Sequence, residues 1–416
     1  MNTPDHYTYL YLPLIYTVAW GMARMVIGRS SGIRTCLEVH AVERNSTIDG
    51  LRGLLALSVM GSHTMMTSEF LGSGTWGHPA MPLAAALGQV AVMLFFMITA
   101  FLFWDRLLNH GPKMDWTAFY VGRVFRLTPL YLLMVVILAA IALARAHGRL
   151  LEPISTFATH LGSWLTYTVR SEPNLNGMPQ TWMVVAGVTW SLPYEWLFYF
   201  SLPLVGFVFT RAKSVVAVLV ASVFVATFIW LRHFRPIDVN RLYPFFSGIV
   251  AAYWVRQPRL RRIAGSRLFG ILAVIGLGFT LLAFPNPYAV LPLALITLFF
   301  LAATSDTSIL RALRGMEARW LGEVSYGIYL FHAMGIWIVT RMILPRFFDF
   351  RTFSPWQDLA VILGTTCILV PIVSLFYLTV ERPGIVYGRS IVKDFLAKPR
   401  AIDAPVVTRA DEVTER

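Results

Sequence analysis

The sequence predicts an all-α fold, a polytopic membrane bundle of about ten transmembrane helices. Three observations predict it. Apolar residues make up 56% of the 416-residue chain and charged ones only 14%, more apolar surface than a soluble globule of this length would bury. Long apolar runs, each near the roughly 20 residues that a bilayer requires, recur along the chain. The basic residues collect in alternate connections between those runs, the distribution that membrane insertion imposes.

The runs lie at about 51–68, 85–104, 127–146, 191–210, 213–231, 241–256, 267–284, 288–304, 324–343 and 358–380, with 241–256 the shortest. A run at 7–27, rich in Tyr and interrupted by Pro13 and Arg24, would make an eleventh. It has no basic segment before it and no small-residue cleavage site after it, which argues against a secretory signal peptide. Met22 and Met25 offer alternative starts within it. With residues 28–52 in the cytoplasm and the ten spans alternating, the inner connections hold 25 Lys and Arg and the outer ones 8. Of the 35 Lys and Arg, only Arg24 and Arg145, both within apolar runs, fall in neither set of connections. Both ends of the core, and the C-terminus, are then cytoplasmic.

No repeat or low-complexity tract appears. The chain divides into an N-terminal extension (1–45), one membrane domain (46–388) and a cytoplasmic tail (389–416). A net charge of +13 invites a nucleic-acid reading, but the basic residues are spread over short loops and lack an aromatic groove, so no nucleic-acid partner is expected. Cys36 and Cys367 form no pattern and imply neither a disulfide framework nor a metal site. The longest connection, 147–189, is expected on the outer side and carries Trp164, Tyr167, Pro173, Pro179 and Trp182. That set suits stacking on sugar rings or covering an external cleft, or alternatively an interfacial aromatic belt.

Asp49-Gly-Leu-Arg-Gly53, with His63 eleven residues beyond Arg52, is the most informative stretch. In a continuous helix eleven steps leave the two side chains roughly 20° apart in azimuth and about 16 Å apart along the axis. The bland reading is an anchor whose Arg snorkels and whose His is tolerated. A His this deep in a span is costly unless it faces the bundle interior, which marks it as a candidate general base. Ser46-Thr-Ile-Asp49 has the pattern of a capping box, and Asp49 and Arg52 are i, i+3 neighbours that can pair.

Arg123 and Arg126, also i, i+3, precede the third span. Each is explained by positive-inside anchoring alone, but with Arg52 on the same membrane face they outline a site for a phosphate-bearing cytosolic donor. Glu195 enters the fourth span from the outer side with Ser191 four residues before it and Tyr199 four after, beside Trp190. A carboxylate there is not what an anchor needs. Ser325, Tyr329 and His332, with Tyr326 adjacent, form a polar seam on the ninth span. His332 reads equally as a satisfied core histidine.

These stretches, together with Phe95-Phe96 before Phe101-Leu102, Arg123-x-x-Arg126-Leu-x-Pro129-x-Tyr131, Trp190-Ser-Leu-x-x-Glu195, Ser325-Tyr-x-x-Tyr329-Leu-x-His332 and Glu381-Arg-Pro383, resemble acyltransferase family 3 over residues 46–388. The resemblance implies a multi-span enzyme of the inner (cytoplasmic) membrane. It would move an acyl group from acyl-CoA, acetyl-CoA first among the donors, to a hydroxyl of an extracytoplasmic saccharide, glycolipid or macrolide sugar, without a metal. Arg52 and His63 would be the essential pair, Arg123 and Arg126 would serve the acyl-CoA, and Glu195 would belong to the active centre. Asp49, Trp190, Ser191, Ser325, Tyr326, Tyr329 and His332 would support the reactants. Two departures stand out: Thr99-Ala100 replaces the family's usual Ser-Gly, and 45 residues precede the first motif. The rival readings are an unrelated His-Asn membrane acyltransferase, a polyprenyl-dependent glycosyltransferase, for which the 69–84 loop offers only Glu69, and a transporter of an anionic or acylated substrate.

Overall fold

The computed structural model describes residues 8–43, 46–77, 79, 81–210, 214–232, 237–348 and 353–397. The side chains of Cys36 and Ser46 lie outside the described residues, as does the tail beyond 397, so the expected capping box and most of the cytoplasmic tail do too.

The fold is helical throughout. In chain order the helices are α1 (Thr8–Arg29), α2 (Ser31–Glu43), α3 (Ser46–Ser73), α4 (Pro82–His110), α5 (Trp116–Arg145), α6 (Ile154–Leu165), α7 (Ser191–Phe209), α8 (Val215–Leu231), α9 (Tyr243–Trp254), α10 (Pro258–Ala264), α11 (Arg267–Ala283), α12 (Val290–Thr304), α13 (Met316–Glu323), α14 (Ser325–Ile338), α15 (Pro355–Phe376) and α16 (Arg382–Ala397). Large apolar side chains point outward along α8, α11 and α12, where Val216, Trp230, Leu268, Leu282 and Val290 are among the most exposed. A water-soluble protein buries such residues; here lipid is their solvent.

Six described helical segments are long and apolar enough to cross a bilayer, or up to eight if each of two bent pairs is one span. The expected count of about ten is not reached, and the reason differs from run to run. α8 and α9 are shorter, with 17 and 12 residues. α11 and α12 belong to the bent pairs, broken by 61° and 69°. α3 has 28 residues but interrupts its apolar run with Arg52, Ser58, Ser62, His63, Thr64 and Thr67. The N-terminal run does form such a helix, α1, which packs on α3, α13 and α15. Ile15, Ala19 and Ala23 on it are fully buried, and Tyr16 shares a 2.7 Å hydrogen bond with Ser58 of α3.

The polar α3 is sealed inside the bundle by α1, α4, α13 and α14. Its tightest crossing is with α13, and glycine makes it possible. A Cβ on Gly53 would sit 2.6 Å from the Cβ of Leu321, and one on Gly50 or Gly322 would run into the backbone of Leu313 or Asp49. Small residues at such a contact let two backbones approach where no hydrophobic drive exists between helices. α4 and α9 use the same device: a Cβ on Gly248 would lie 2.7 Å from that of Ala100. Two backbones therefore approach closely beside Thr99-Ala100, where this chain departs from the family's usual Ser-Gly, with Gly248 of the opposite helix at the contact.

Gly322→Val forces a branched side chain against the Asp49 backbone, which cannot rotate away. It is expected to cost at least about 1–3 kcal/mol, seen as a lowered thermal midpoint in detergent micelles. Gly364→Ala on α15, where nothing lies within 4 Å, should leave the midpoint unchanged or slightly higher.

Candidate functional site

A cavity of about 460 Å³ opens near the end of the bundle where α3 begins, and five helices line it. α3 contributes Asp49 and Arg52, α4 Phe95 and Thr99, α5 Arg123 and Arg126, α7 Ser191, Glu195 and Tyr199, and α14 Ser325, Tyr326 and Tyr329. The three arginines that the sequence placed on one membrane face therefore share one chamber. Arg123 lies over the Phe103 ring with its Cζ 4.7 Å from the centroid. Neither Arg52 nor Arg123 is in an ion pair among the described residues; Asp49 acts on Arg52 electrostatically, together with Glu323 and Glu381. The lining sets these three arginines against three carboxylates, Asp49, Asp105 and Glu195, of which Asp105 is held by Arg256; the planar forks of Arg52 and Arg123 are of the kind that grips phosphate oxygens.

Arg126 has its carboxylate at the rear of the chamber: Glu381, fully buried, lies 3.8 Å from it. Glu381 sits at the end of a π-helical turn, Tyr377–Glu381, and Pro383 follows. A proline cannot donate to the carbonyl four residues back, and a widened turn upstream accommodates the loss. Nearby, the Tyr377 hydroxyl donates to Glu323 at 3.0 Å. Glu381 stood in a recognised motif, but its role was invisible in sequence because Arg126 is 255 positions away.

Glu195, which the resemblance places in the active centre, lines the chamber, where Thr99 donates to it at 3.3 Å and Tyr199 at 3.4 Å. The charges acting on it are Arg52 and Arg123. It belongs to the arginine chamber, and the unusual Thr99 is one of its anchors. Trp190 stands outside the lining: Arg241 Cζ lies 4.2 Å from its ring centroid, and it packs edge-on to Phe96, which lines the chamber. Ser325 lines the chamber although its hydroxyl turns back to the Gly322 carbonyl at 2.7 Å, and Tyr326 donates to the Leu127 carbonyl at 3.0 Å.

α3 is continuous from Ser46 to Ser73, so the helical spacing from Arg52 to His63 holds. What orients His63 is another histidine. His63 Nδ1 lies 3.0 Å from His332 Nε2, and the rings stack with centroids 5.1 Å apart. His332 is fully buried, and its Nδ1 lies 2.9 Å from the Ile328 carbonyl. A carbonyl only accepts, so His332 Nδ1 carries the proton and its Nε2, in the neutral ring, accepts. His63 Nδ1–H must then donate to it, which leaves His63 Nε2 with the free lone pair of a base. His332 is thus a core histidine satisfied by the Ile328 carbonyl and at the same time the hydrogen-bond partner of His63.

A second cavity of about 370 Å³ is lined on α3 by Thr67 and Phe70 and on α14 by Ala333 and Trp337. The histidine pair lines neither cavity and stands between them along both helices, as part of a wall. Along α3 the order is Arg52, His63, Thr67; along α14 it is Tyr329, His332, Ala333. Tyr329 closes the first chamber from below this wall, donating to the Val188 carbonyl at 2.9 Å and hydrogen-bonding Ser191 at 2.8 Å. The 147–189 connection covers the second cavity with residues 178–180. Of its aromatics, Trp164 and Tyr167 face inward, bonded to the Pro173 carbonyl and to Thr128, and Trp182 packs edge-on to Trp76. Among the described residues no group of three or more His, Cys, Asp or Glu could hold a metal.

A family model described as an acyltransferase domain matches residues 45–378. The chain is similar to exopolysaccharide production protein ExoZ of Rhizobium meliloti (strain 1021), 26% identical over 73% of this chain and 92% of that protein. It is also similar to nodulation protein 10 of Rhizobium leguminosarum bv. viciae, 25% identical over 71% of this chain and 84% of that protein. No solved structure matches it.

Glu381→Gln removes the buried counter-charge of Arg126 and is expected to cost about 3–5 kcal/mol, read from thermal unfolding in micelles. The double replacement of Arg126 and Glu381 by Met should recover most of that loss, because no charge is then left buried alone.

Proposed function

The chain belongs to the acyltransferase 3 family, and from that membership we propose that it O-acylates a saccharide or glycoside across the inner membrane. Its donor is acyl-CoA, acetyl-CoA first among the candidates, and the end of the bundle that carries the arginine chamber faces the cytoplasm, with the C-terminus on the same side. The positive-inside asymmetry supports that orientation. The observation that carries the proposal is the His63–His332 pair set in the wall between two cavities, one rich in arginine and the other at the far end of the bundle.

In this reading the phosphates of CoA rest on Arg52, Arg123 and Arg126, and the pantetheine arm extends along α3. The separation of about 16 Å between Arg52 and His63 lets the arm carry the thioester up to the wall. The acceptor hydroxyl arrives from the second cavity. His63 Nε2 removes its proton as the oxygen attacks the thioester carbonyl. The tetrahedral intermediate collapses with cleavage of the C–S bond, and the thiolate leaves with the proton returned by the imidazolium. His332 holds the reactive tautomer and shares the charge through its hydrogen bond. Glu195, held by Thr99 and Tyr199, positions Arg52 and Arg123 around the donor. The names of the two relatives, an exopolysaccharide production protein and a nodulation protein, support an exported saccharide as the acceptor.

His63→Ala in membranes supplied with labelled acetyl-CoA is expected to lower transfer about 10²–10⁴-fold; turnover retained at the wild-type rate would sink the assignment. His332→Ala, which frees the His63 tautomer but keeps the base, should lower kcat by less and leave KM for acetyl-CoA unchanged. Arg123→Gln should do the reverse, raising KM for acetyl-CoA about tenfold with the histidine pair intact.

A further inference from the structure

The second cavity contains two arginines that the acyl-transfer reading does not use. Arg145 ends α5 and Arg341 lies in the π-helical turn Val339–Ile343 that follows α14, and both line the cavity. Each is laid on an aromatic ring: Arg145 Cζ is 5.9 Å from the centroid of Trp337, and Arg341 Cζ is 4.9 Å from that of Phe70. The two guanidiniums are close enough to act on one another. Among the described residues neither is in an ion pair. Both arginines are exposed, and two guanidiniums held near one another over aromatic rings present N–H forks that fit a single oxyanion.

The remaining lining fits a sugar. Trp337, Trp76 and Phe70 supply apolar ring faces, and Gln180 supplies an amide beside the arginines. Gln180 and Ala186, both on this lining, hold left-handed backbone conformations with φ of 54° and 47°, which non-glycine residues adopt at a cost. Strain of that kind persists where a loop is shaped for a ligand rather than for its own stability.

We infer that the second cavity is the acceptor site and that it selects an anionic saccharide, whose oxyanion is held between Arg145 and Arg341 while a ring stacks on Trp337. Thr67 and Ala333 place the acceptor one helical turn from His63 and next to His332. The inference rests on the acyl-transfer reading for the identity of the cavity, but not for its chemistry. A carboxylate on the sugar and a phosphate at its end present the same fork of oxygens to the two guanidiniums.

The purified protein in lipid nanodiscs, titrated calorimetrically with trigalacturonate, glucose 1-phosphate and neutral maltotriose, tests it. At least one anionic probe should bind at least about tenfold more tightly than maltotriose, and Arg145→Gln combined with Arg341→Gln should abolish that preference. The anionic probe that binds more tightly identifies the source of the oxyanion. The Lys replacements at both positions should keep part of the preference, which a merely structural defect would not. Maltotriose binding as tightly as the tighter of the two anions, or a preference unaltered in the Gln variant, overturns the inference. Acyl transfer measured on the same samples separates the two readings. Selective anion binding without transfer leaves this site standing and sinks the proposed function, whereas transfer that ignores acceptor charge does the opposite.

Discussion

The contact on which the rest of this architecture depends is the glycine-mediated crossing of α3 and α13. Gly53 meets Leu321 and Gly322 at backbone range. Ten residues farther along each helix stand His63 and His332. Two helices that start together, run side by side and rise by the same amount per residue carry the register of their crossing forward, so the closeness of the glycines sets the meeting of the histidines. The break at Val324 between α13 and α14 does not disturb it, because α14 also packs on α3.

Around this pair the bundle solves an electrostatic problem. A chain whose outer surface is fitted to lipid has nowhere to hide charge except inside, and buried charge must be paired or put to use. Arg126 is paired with Glu381, while Arg52 and Arg123 remain available in the chamber. The polar residues of α3 that disqualify it as a simple membrane anchor are the same ones that line, divide and orient the interior. The second cavity repeats the theme with Arg145 and Arg341 held over aromatic rings.

Relations along a single helix were legible in the sequence. The alignment of Arg52 with His63, the face shared by Ser191, Glu195 and Tyr199, and the seam of Tyr329 and His332 all follow from a repeat that neighbours do not alter. The gathering of Arg52, Arg123 and Arg126 was legible too, through charge asymmetry between connections. Relations between helices were less so. Glu195 was legible as a carboxylate of the site, but not that Thr99, from another helix, joins Tyr199 in holding it among the arginines. Trp190 was marked by adjacency, but not that Arg241 lies over its ring.

The sequence by itself determined that the protein is a helical membrane acyltransferase, which residues are costly enough in lipid to demand a purpose, and how far apart they lie along each helix. Composition and helical repeat are local quantities, readable one segment at a time. Only the tertiary structure decided that His332 meets His63, that Glu381 pairs with Arg126, that Gly248 lets a backbone approach Ala100, and that the histidine pair stands between two cavities. Those facts depend on which faces of distant segments meet, and on backbone approaches set by side-chain volumes at crossings, neither of which a linear pattern contains.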